Sequence, residues 1–403
     1  MANKSLERIV VIGGAGAMGR ITVTDLCKTA PQFEVVVADY DKAAAEALVR
    51  SLRSKRLSAA QVDARSVEAT AKVLRGAFAV INAAQHDFNL TVMQAALRAK
   101  AHYVDLGGLY HFTKEQLRLH SKFREADLLA VLGVGAAPGI TNILAAHAAA
   151  QLDDVREIHC CVAGSSELEG DGAGGIDISY SMQTVFEEAS RPAALFTGGK
   201  VRFIEALSEE WDMSFPQPVG KQRLACTIHS EVLTLPQSYR KRGVQEVSFR
   251  IAFGQEVVDK LRTLRSFGLL GDQPVAIGKE RISPRDFMVR MLQQRSKPKV
   301  KKAPKYEGGE YEILRAVVRG KKDNRPLEVI ADCHVVGIPQ WNMGVDADTG
   351  CPPSICVQMI STGQISARGV LPPERAIEPS AFFPHLNERG MRIKVASTSD
   401  QSV

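Results

Sequence analysis

The densest chemical signal in the chain is the run Gly14-Ala15-Gly16-Ala17-Met18-Gly19, a G-x-G-x-x-G. It follows a short apolar stretch at 8–13 and opens a segment of helical spacing at 17–28, with Met18, Ile21 and Leu26 on one side. A second apolar stretch, 33–38, is followed by Asp39, at the distance of about 20 residues that a dinucleotide fingerprint requires. Each glycine then has a task. Gly14 is expected to make the tight turn, Gly16 to let a pyrophosphate approach the backbone, and Gly19 to let helix and strand pack closely. Ala17 and Met18 open the helix, whose free N–H groups and partial positive charge suit phosphates. Asp39 would accept hydrogen bonds from ribose hydroxyls and repel a 2′-phosphate, which favours NAD over NADP. Asp63, ending a third strand pattern, could reach the adenine amino group. Ala83 and Ala84, after a fourth, leave room for a ribose.

A nicotinamide cofactor calls for a group that takes or gives a proton as hydride moves. His86 follows the fourth strand pattern and Tyr110 the fifth, both at strand ends where such a cofactor should lie. His229, with Glu231 in the same His-Ser-Glu run, is a further candidate. A substrate carboxylate would want a planar cation, and Arg191, Arg202, Arg223 and Arg250 are available. The seven cysteines are scattered, odd in number and without a C-x-x-C pair, so reduced thiols are expected rather than disulfides or a zinc site. Cys160 and Cys161 fall inside a strand pattern, which argues against a nucleophilic thiol. No His-Glu-x-x-His helix is present, and no metal site is expected.

These groups need elements to hold them. Over the first 130 or so residues strand and helix patterns alternate: strands at 8–13, 33–38, 57–62, 78–82, 103–106 and 128–133, helices at 17–28, 41–52, 67–74, 90–99 and 114–125. That alternation means parallel strands with crossover helices, an α/β doubly wound Rossmann sheet. Beyond Pro138 the pattern becomes α+β with a mostly antiparallel sheet. It has a small-residue helix at 140–152, strands at 155–163, 201–204, 226–229 and 247–253, and helices at 256–267 and 284–294. A hairpin is expected where 312–319 and 327–336 flank 320–326. Segment 168–176 carries four glycines and reads as a ligand-contacting loop. Two helices, 352–362 and 381–389, and a strand, 391–395, close the chain. The expected organisation is a dinucleotide-binding domain at 1–137, an α+β domain at 138–345 and a C-terminal segment at 346–403 returning to the first.

A length of 403 residues allows two or three domains. The composition, 45% hydrophobic and 24% charged, is that of a soluble globular protein, and no apolar run is long enough to span a membrane. The net charge of +6 is mild. The one basic cluster, 295–302, reads as a solvated loop, and no nucleic-acid partner is expected. The N-terminus runs straight into the first strand, so no targeting peptide is expected and the location should be cytoplasmic.

The chain resembles the saccharopine dehydrogenase-like family over most of its length. The segments that carry the resemblance are VIGGAGAMGR at 11–20, YVDLGG at 103–108, GVGAAPGITNILA at 133–145, ISPRDFMVRML at 282–292 and DTGCPPSICVQMISTGQISARGVLPPE at 348–374. Within it, the Asp39 chemistry and the GAAPG segment look most like the bacterial NAD-dependent lysine 6-dehydrogenases. The resemblance implies a Rossmann domain with an inserted α+β substrate and dimerisation domain, and a homodimer or higher homo-oligomer. It also implies oxidoreduction at a carbon–nitrogen bond of an amino acid, with oxidative deamination of the lysine ε-amine as the leading reading. Glutamate-forming saccharopine dehydrogenases place an acid just before the Pro-Gly pair, where this chain has Ala137. They also carry Cys-Gly-Gly where it has Ala163-Gly164-Ser165. A saccharopine or opine-type dehydrogenase is the alternative enzyme. A non-catalytic Rossmann protein that senses NAD is the alternative from another class.

Overall fold

The computed structural model describes residues 6–165, 181–295 and 309–399. The glycine-rich segment at 168–176 and all but the first residue of the basic cluster at 295–302 lie outside them. The first part of the chain runs β1 (Glu7–Ile12), α1 (Ala17–Thr29), β2 (Phe33–Asp39), α2 (Lys42–Leu52), β3 (Leu57–Gln61), α3 (Val67–Val73), β4 (Ala79–Asn82), α4 (Asn89–Ala99), β5 (His102–Asp105), α5 (Tyr110–Leu117), α6 (His120–Glu125) and β6 (Leu129–Val131). These strands form a parallel sheet in the order β6-β5-β4-β1-β2-β3. Side chains on alternate faces explain why the strands read as continuous apolar runs. Ile9, Val11, Val35 and Val37 join one buried cluster, and Val10, Ile12 and Val36 the cluster on the opposite face. The single helix expected at 114–125 is two short ones, α5 and α6, separated by Arg118 and Leu119. The fourth helix is preceded by a 3₁₀ turn, His86–Phe88.

The second part runs α7 (Ile140–Ala149), β7 (Asp154–Gly164), α8 (Met182–Ser190), β8 (Ala193–Thr197), β9 (Lys200–Ile204), β10 (Trp211–Ser214), β11 (Lys221–Cys226), α9 (Glu231–Tyr239), β12 (Glu246–Ile251), α10 (Gln255–Ser266), β13 (Val275–Ile277), β14 (Glu280–Ile282), α11 (Pro284–Arg295), β15 (Glu312–Lys322) and β16 (Arg325–Val335). Its large sheet has the order β10-β11-β12-β7-β15-β16, antiparallel except where β12 runs parallel to β7. The strand expected at 226–229 ends instead at Cys226, so His229 stands in a connection rather than in the ladder. The hairpin β15–β16 turns at Asp323 and Asn324, both at positive φ (50° and 62°). That is the type I′ geometry whose twist matches its strands, and asparagine and aspartate tolerate it.

The remaining elements are α12 (Ala347–Gly350), α13 (Pro352–Ser361), β17 (Gly369–Leu371), α14 (Pro373–Ala376), α15 (Pro379–Asn387) and β18 (Arg392–Thr398). Strand β17 adds to the first sheet beside β6, in parallel. Strand β18 does not stay with it; it pairs antiparallel with β16 in the second sheet. The chain thus crosses between the two sheets repeatedly. A buried ion pair helps fix the last crossing: Arg389 grips Asp25 of α1 with two bonds of 2.6 and 2.9 Å, and both side chains are fully enclosed. Among the described residues no helix is long and apolar enough to cross a membrane.

Candidate active site

The glycine loop departs from expectation at one residue. The turn is made by Gly13, at φ +70°, where a Cβ would lie 2.7 Å from the Ala84 nitrogen. Gly14 has an ordinary φ; its missing side chain lets the loop press against Val11 and Val37. Gly19 packs on Gly13, whose oxygen would be 2.1 Å from an added Cβ. Gly16 is the N-cap of α1, and an added Cβ there would meet only the Gly13 oxygen, at 3.2 Å. The loop is therefore crowded on the protein side and open at Gly16, as a pyrophosphate cradle at a helix N-terminus should be. Asp39 braces this loop: its carboxylate accepts from the Ala15 N–H and the Asp41 N–H, both at 3.0 Å.

Two cavities extend from the loop. One is lined by Gly13, Asp39, Tyr40, Asp63, Arg65 and Ala84 from the first domain, and by Arg290 of α11 from the second. Asp39 and Asp63, the residues expected to meet the ribose and the adenine, both line it. Asp63 reaches this cavity, but its carboxylate is already held bidentately by Arg65, at 2.7 and 2.9 Å, and that guanidinium keeps it below the usual carboxylate range.

The other cavity, of about 330 Å³, lies between the domains, in the kind of crevice where such folds bind ligands. Ala17, Met18, Ala83 and Ala84 line it from the first domain, joined by residues beyond β4, β5 and β6. Those three strands end at this crevice, beside the place where the strand order reverses between β1 and β4. Asp105 holds the crevice together from behind. Its buried carboxylate accepts from Gly107 N and Gly133 N, Tyr103 Oη and Gln116 Nε2, tying two loops and α5 to one side chain.

His86 and His229 both line the cavity; Tyr110 does not. Tyr110 is buried edge-on against Phe203, 5.5 Å between ring centres, as a packing residue. His86 meets Glu187 of α8, Nε2 to Oε2 at 2.8 Å, and Arg285 forms an ion pair with the other Glu187 oxygen, Nη1 to Oε1 at 2.8 Å. Burial acts to raise the Glu187 carboxyl, but His86 and Arg285 outweigh it and keep it below the usual range. His229 lies flat on Phe249, ring centres 3.5 Å apart. Its Nδ1 is 3.0 Å from Glu231 Oε2 and its Nε2 is 3.4 Å from Glu188 Oε1. Burial opposes a charge on this ring, yet the flanking carboxylates prevail and its pKa is raised to about 9. His229 is thus an imidazolium at neutral pH, a proton donor rather than a base. Glu231 in turn accepts from Thr141 Oγ1 at 2.9 Å.

Sequence reasoning missed the acids. Glu188, Glu312, Asp346 and Asp348 line the cavity, and among its described lining residues there is no lysine or arginine. The four arginines considered as carboxylate ligands are engaged elsewhere. Arg191 pairs with Asp272, Arg202 with Glu209 and Arg223 with Asp212, while Arg250 stacks over Trp211 at 3.3 Å. The sequence marks these acids only faintly, by Glu187-Glu188 inside an otherwise amphipathic helix and by Asp348 at the head of the segment 348–374; Glu312 comes from elsewhere in the chain. Both Cys160 and Cys161 are fully buried, because β7 is covered on both faces, and burial pushes the Cys161 thiol up to about 12. Neither is a nucleophile.

Comparison with known proteins agrees with this geometry. Residues 9–131 match the family described as saccharopine dehydrogenase NADP binding domain, and 135–391 the saccharopine dehydrogenase C-terminal domain. The chain is 24% identical to a carboxyaminopropylagmatine dehydrogenase of Synechocystis, over 95% of this chain and 96% of that one. It is 22% identical to a carboxynorspermidine synthase of Vibrio cholerae, over 94% of each. A glutamate-forming saccharopine dehydrogenase of Saccharomyces cerevisiae shares the fold, with a TM-score of 0.71 at 17% identity, over 97% of this chain and all of that one. A glycine cradle, a two-domain cleft with paired histidines and two domain matches spanning nearly the whole chain lead to one conclusion: the protein belongs to the saccharopine dehydrogenase family and is an NAD(P)-dependent dehydrogenase.

Proposed function

We propose that this dehydrogenase makes or breaks the carbon–nitrogen bond of a polycationic amine, of the kind represented by a carboxylated polyamine. The observation that carries the reading is the charge of the inter-domain cavity: four acidic residues and no lysine or arginine among the described lining residues. Such a wall attracts ammonium groups and disfavours an amine burdened with several carboxylates, as saccharopine is. The names of the two curated relatives point to substrates of the favoured kind. Lysine ε-deamination is the second reading. Lysine is also a diamine, but it carries fewer ammonium groups for the acidic wall than a carboxylated polyamine does.

Bound nicotinamide would supply the hydride acceptor or donor. The chain's own residues do the rest. His86, its Nε2 anchored 2.8 Å from Glu187, is the side chain placed to take a proton from the substrate amine. Glu187, fixed by Arg285, holds that ring in place. His229, charged and bracketed by Glu188 and Glu231, is suited to return a proton when the reaction runs towards the amine. For the cofactor, NAD is the proposed partner, since Asp39 stands at the end of β2 where ribose hydroxyls would meet it and Arg65 is taken up by Asp63. The test is turnover of purified protein with NAD and NADP against lysine, saccharopine, diamines and carboxylated polyamines. Turnover confined to saccharopine would overturn the charge argument.

A further inference from the structure

We infer that Glu312 and Asp348 form a subsite for an ammonium group of the substrate, at the point where the start of β15 meets α12. The inference rests on the reading of this cavity as one for a cationic amine. The two side chains come from opposite sides of a domain junction, line the same cavity and hydrogen-bond to each other. Asp348 is only 2% exposed. Its Oδ1 accepts from Thr349 Oγ1 at 3.1 Å, whereas its buried Oδ2 accepts from no hydrogen-bond donor among the described residues. A carboxylate oxygen left so, on a residue that lines the cavity, lacks a donor, and an ammonium group brings three.

Two carboxyls in contact, one enclosed and the other half-buried, disfavour being ionised together. Burial pushes both upward, Asp348 furthest, with Glu312 beside it. The other titratable groups around the pair do not neutralise it. Glu310 and Asp346 are acids that add to the repulsion, and the buried Cys333 and Cys351 thiols nearby are held neutral by burial. Across the cavity, His229 is committed to Glu188 and Glu231, and His86 to Glu187. With both carboxyls pushed upward, the pair therefore favours sharing a proton over carrying two negative charges. An ammonium group arriving there releases that proton and replaces its charge, so the occupied site keeps the same net charge. A neutral hydroxyl or a carboxylate of similar size cannot make this exchange, which makes the pair a selector for amines.

The test is titration calorimetry of the NAD-loaded enzyme with 1,3-diaminopropane, putrescine and agmatine. It is run at neutral pH in buffers of different ionisation enthalpy, so that proton release is read directly. The expected result is about one proton released per amine bound. In Asp348→Asn and Glu312→Gln, release should vanish and KM for the amine should rise by about tenfold or more, with NAD affinity unchanged. Binding or turnover of amines by the unaltered enzyme without proton release would overturn the subsite and leave the amine reading standing. The wild-type measurement decides this even if a variant fails to fold. Failure of every amine to bind or turn over would overturn both.

Discussion

His86 and His229 share one cavity but sit in opposite electrostatic settings, and each setting predicts a different outcome. His86 meets Glu187, a carboxylate that Arg285 also occupies, with Asp87 further off at 3.8 Å. As the proton acceptor, its replacement by asparagine should lower kcat by about 10²–10⁴-fold with little change in KM for the cofactor. A fall of less than tenfold in steady-state assays would remove it from proton transfer. His229 faces two carboxylates, and folding raises its pKa from near 6.5 to about 9. The stabilisation this brings is complete below the unfolded pKa and disappears as pH rises through about 9. It amounts to up to about 3 kcal/mol. Thermal melts from pH 6 to pH 10 should therefore fall more steeply for the native protein than for His229→Gln. Parallel slopes would contradict the imidazolium.

The elements that could be read from sequence are those whose signal is local. The run β1–loop–α1–β2 carries its own periodicity, glycines and terminal acid, so the dinucleotide cradle and the Asp39 position were legible without any tertiary contact. Even there the turn glycine was misplaced by one. What singles out Gly13 is its approach to Ala84 at the end of a different strand, and no local pattern reports that. The split between α5 and α6, and the early end of β11 that frees His229, likewise depend on packing rather than propensity. The loop yields a paired prediction. Gly13→Ala puts a Cβ against Ala84 backbone at an unfavourable φ and should cost at least about 2 kcal/mol, read as a lower melting temperature. Gly16→Ala meets only one atom and should fold nearly normally, but weaken cofactor binding in a direct titration. Equal effects on both quantities would show that the two glycines do not divide the work.

At the scale of the molecule, the site exists because three distant stretches of chain meet. Glu188 comes from α8, Glu312 from β15 and Asp348 from α12, and none of their spacings in sequence could announce a common cavity. That is why the acidic wall was illegible while the Rossmann half was not. The C-terminal segment that brings Asp348 is held to α1 by the enclosed Asp25–Arg389 pair. Arg389→Met would leave Asp25 charged and unpaired in the interior. It should destabilise the protein by about 3–5 kcal/mol, seen in denaturant unfolding. An unchanged midpoint would mean that the apolar contacts of α13 and α15 suffice.

The central claim is that a nicotinamide-dependent dehydrogenase here serves a cationic amine. It is tested most directly by following reduced nicotinamide with the purified enzyme across diamines, carboxylated polyamines, lysine and saccharopine, each with NAD and with NADP. Turnover highest for the substrates richest in ammonium groups is the predicted result. Turnover highest for saccharopine, or for an uncharged amine, would contradict it.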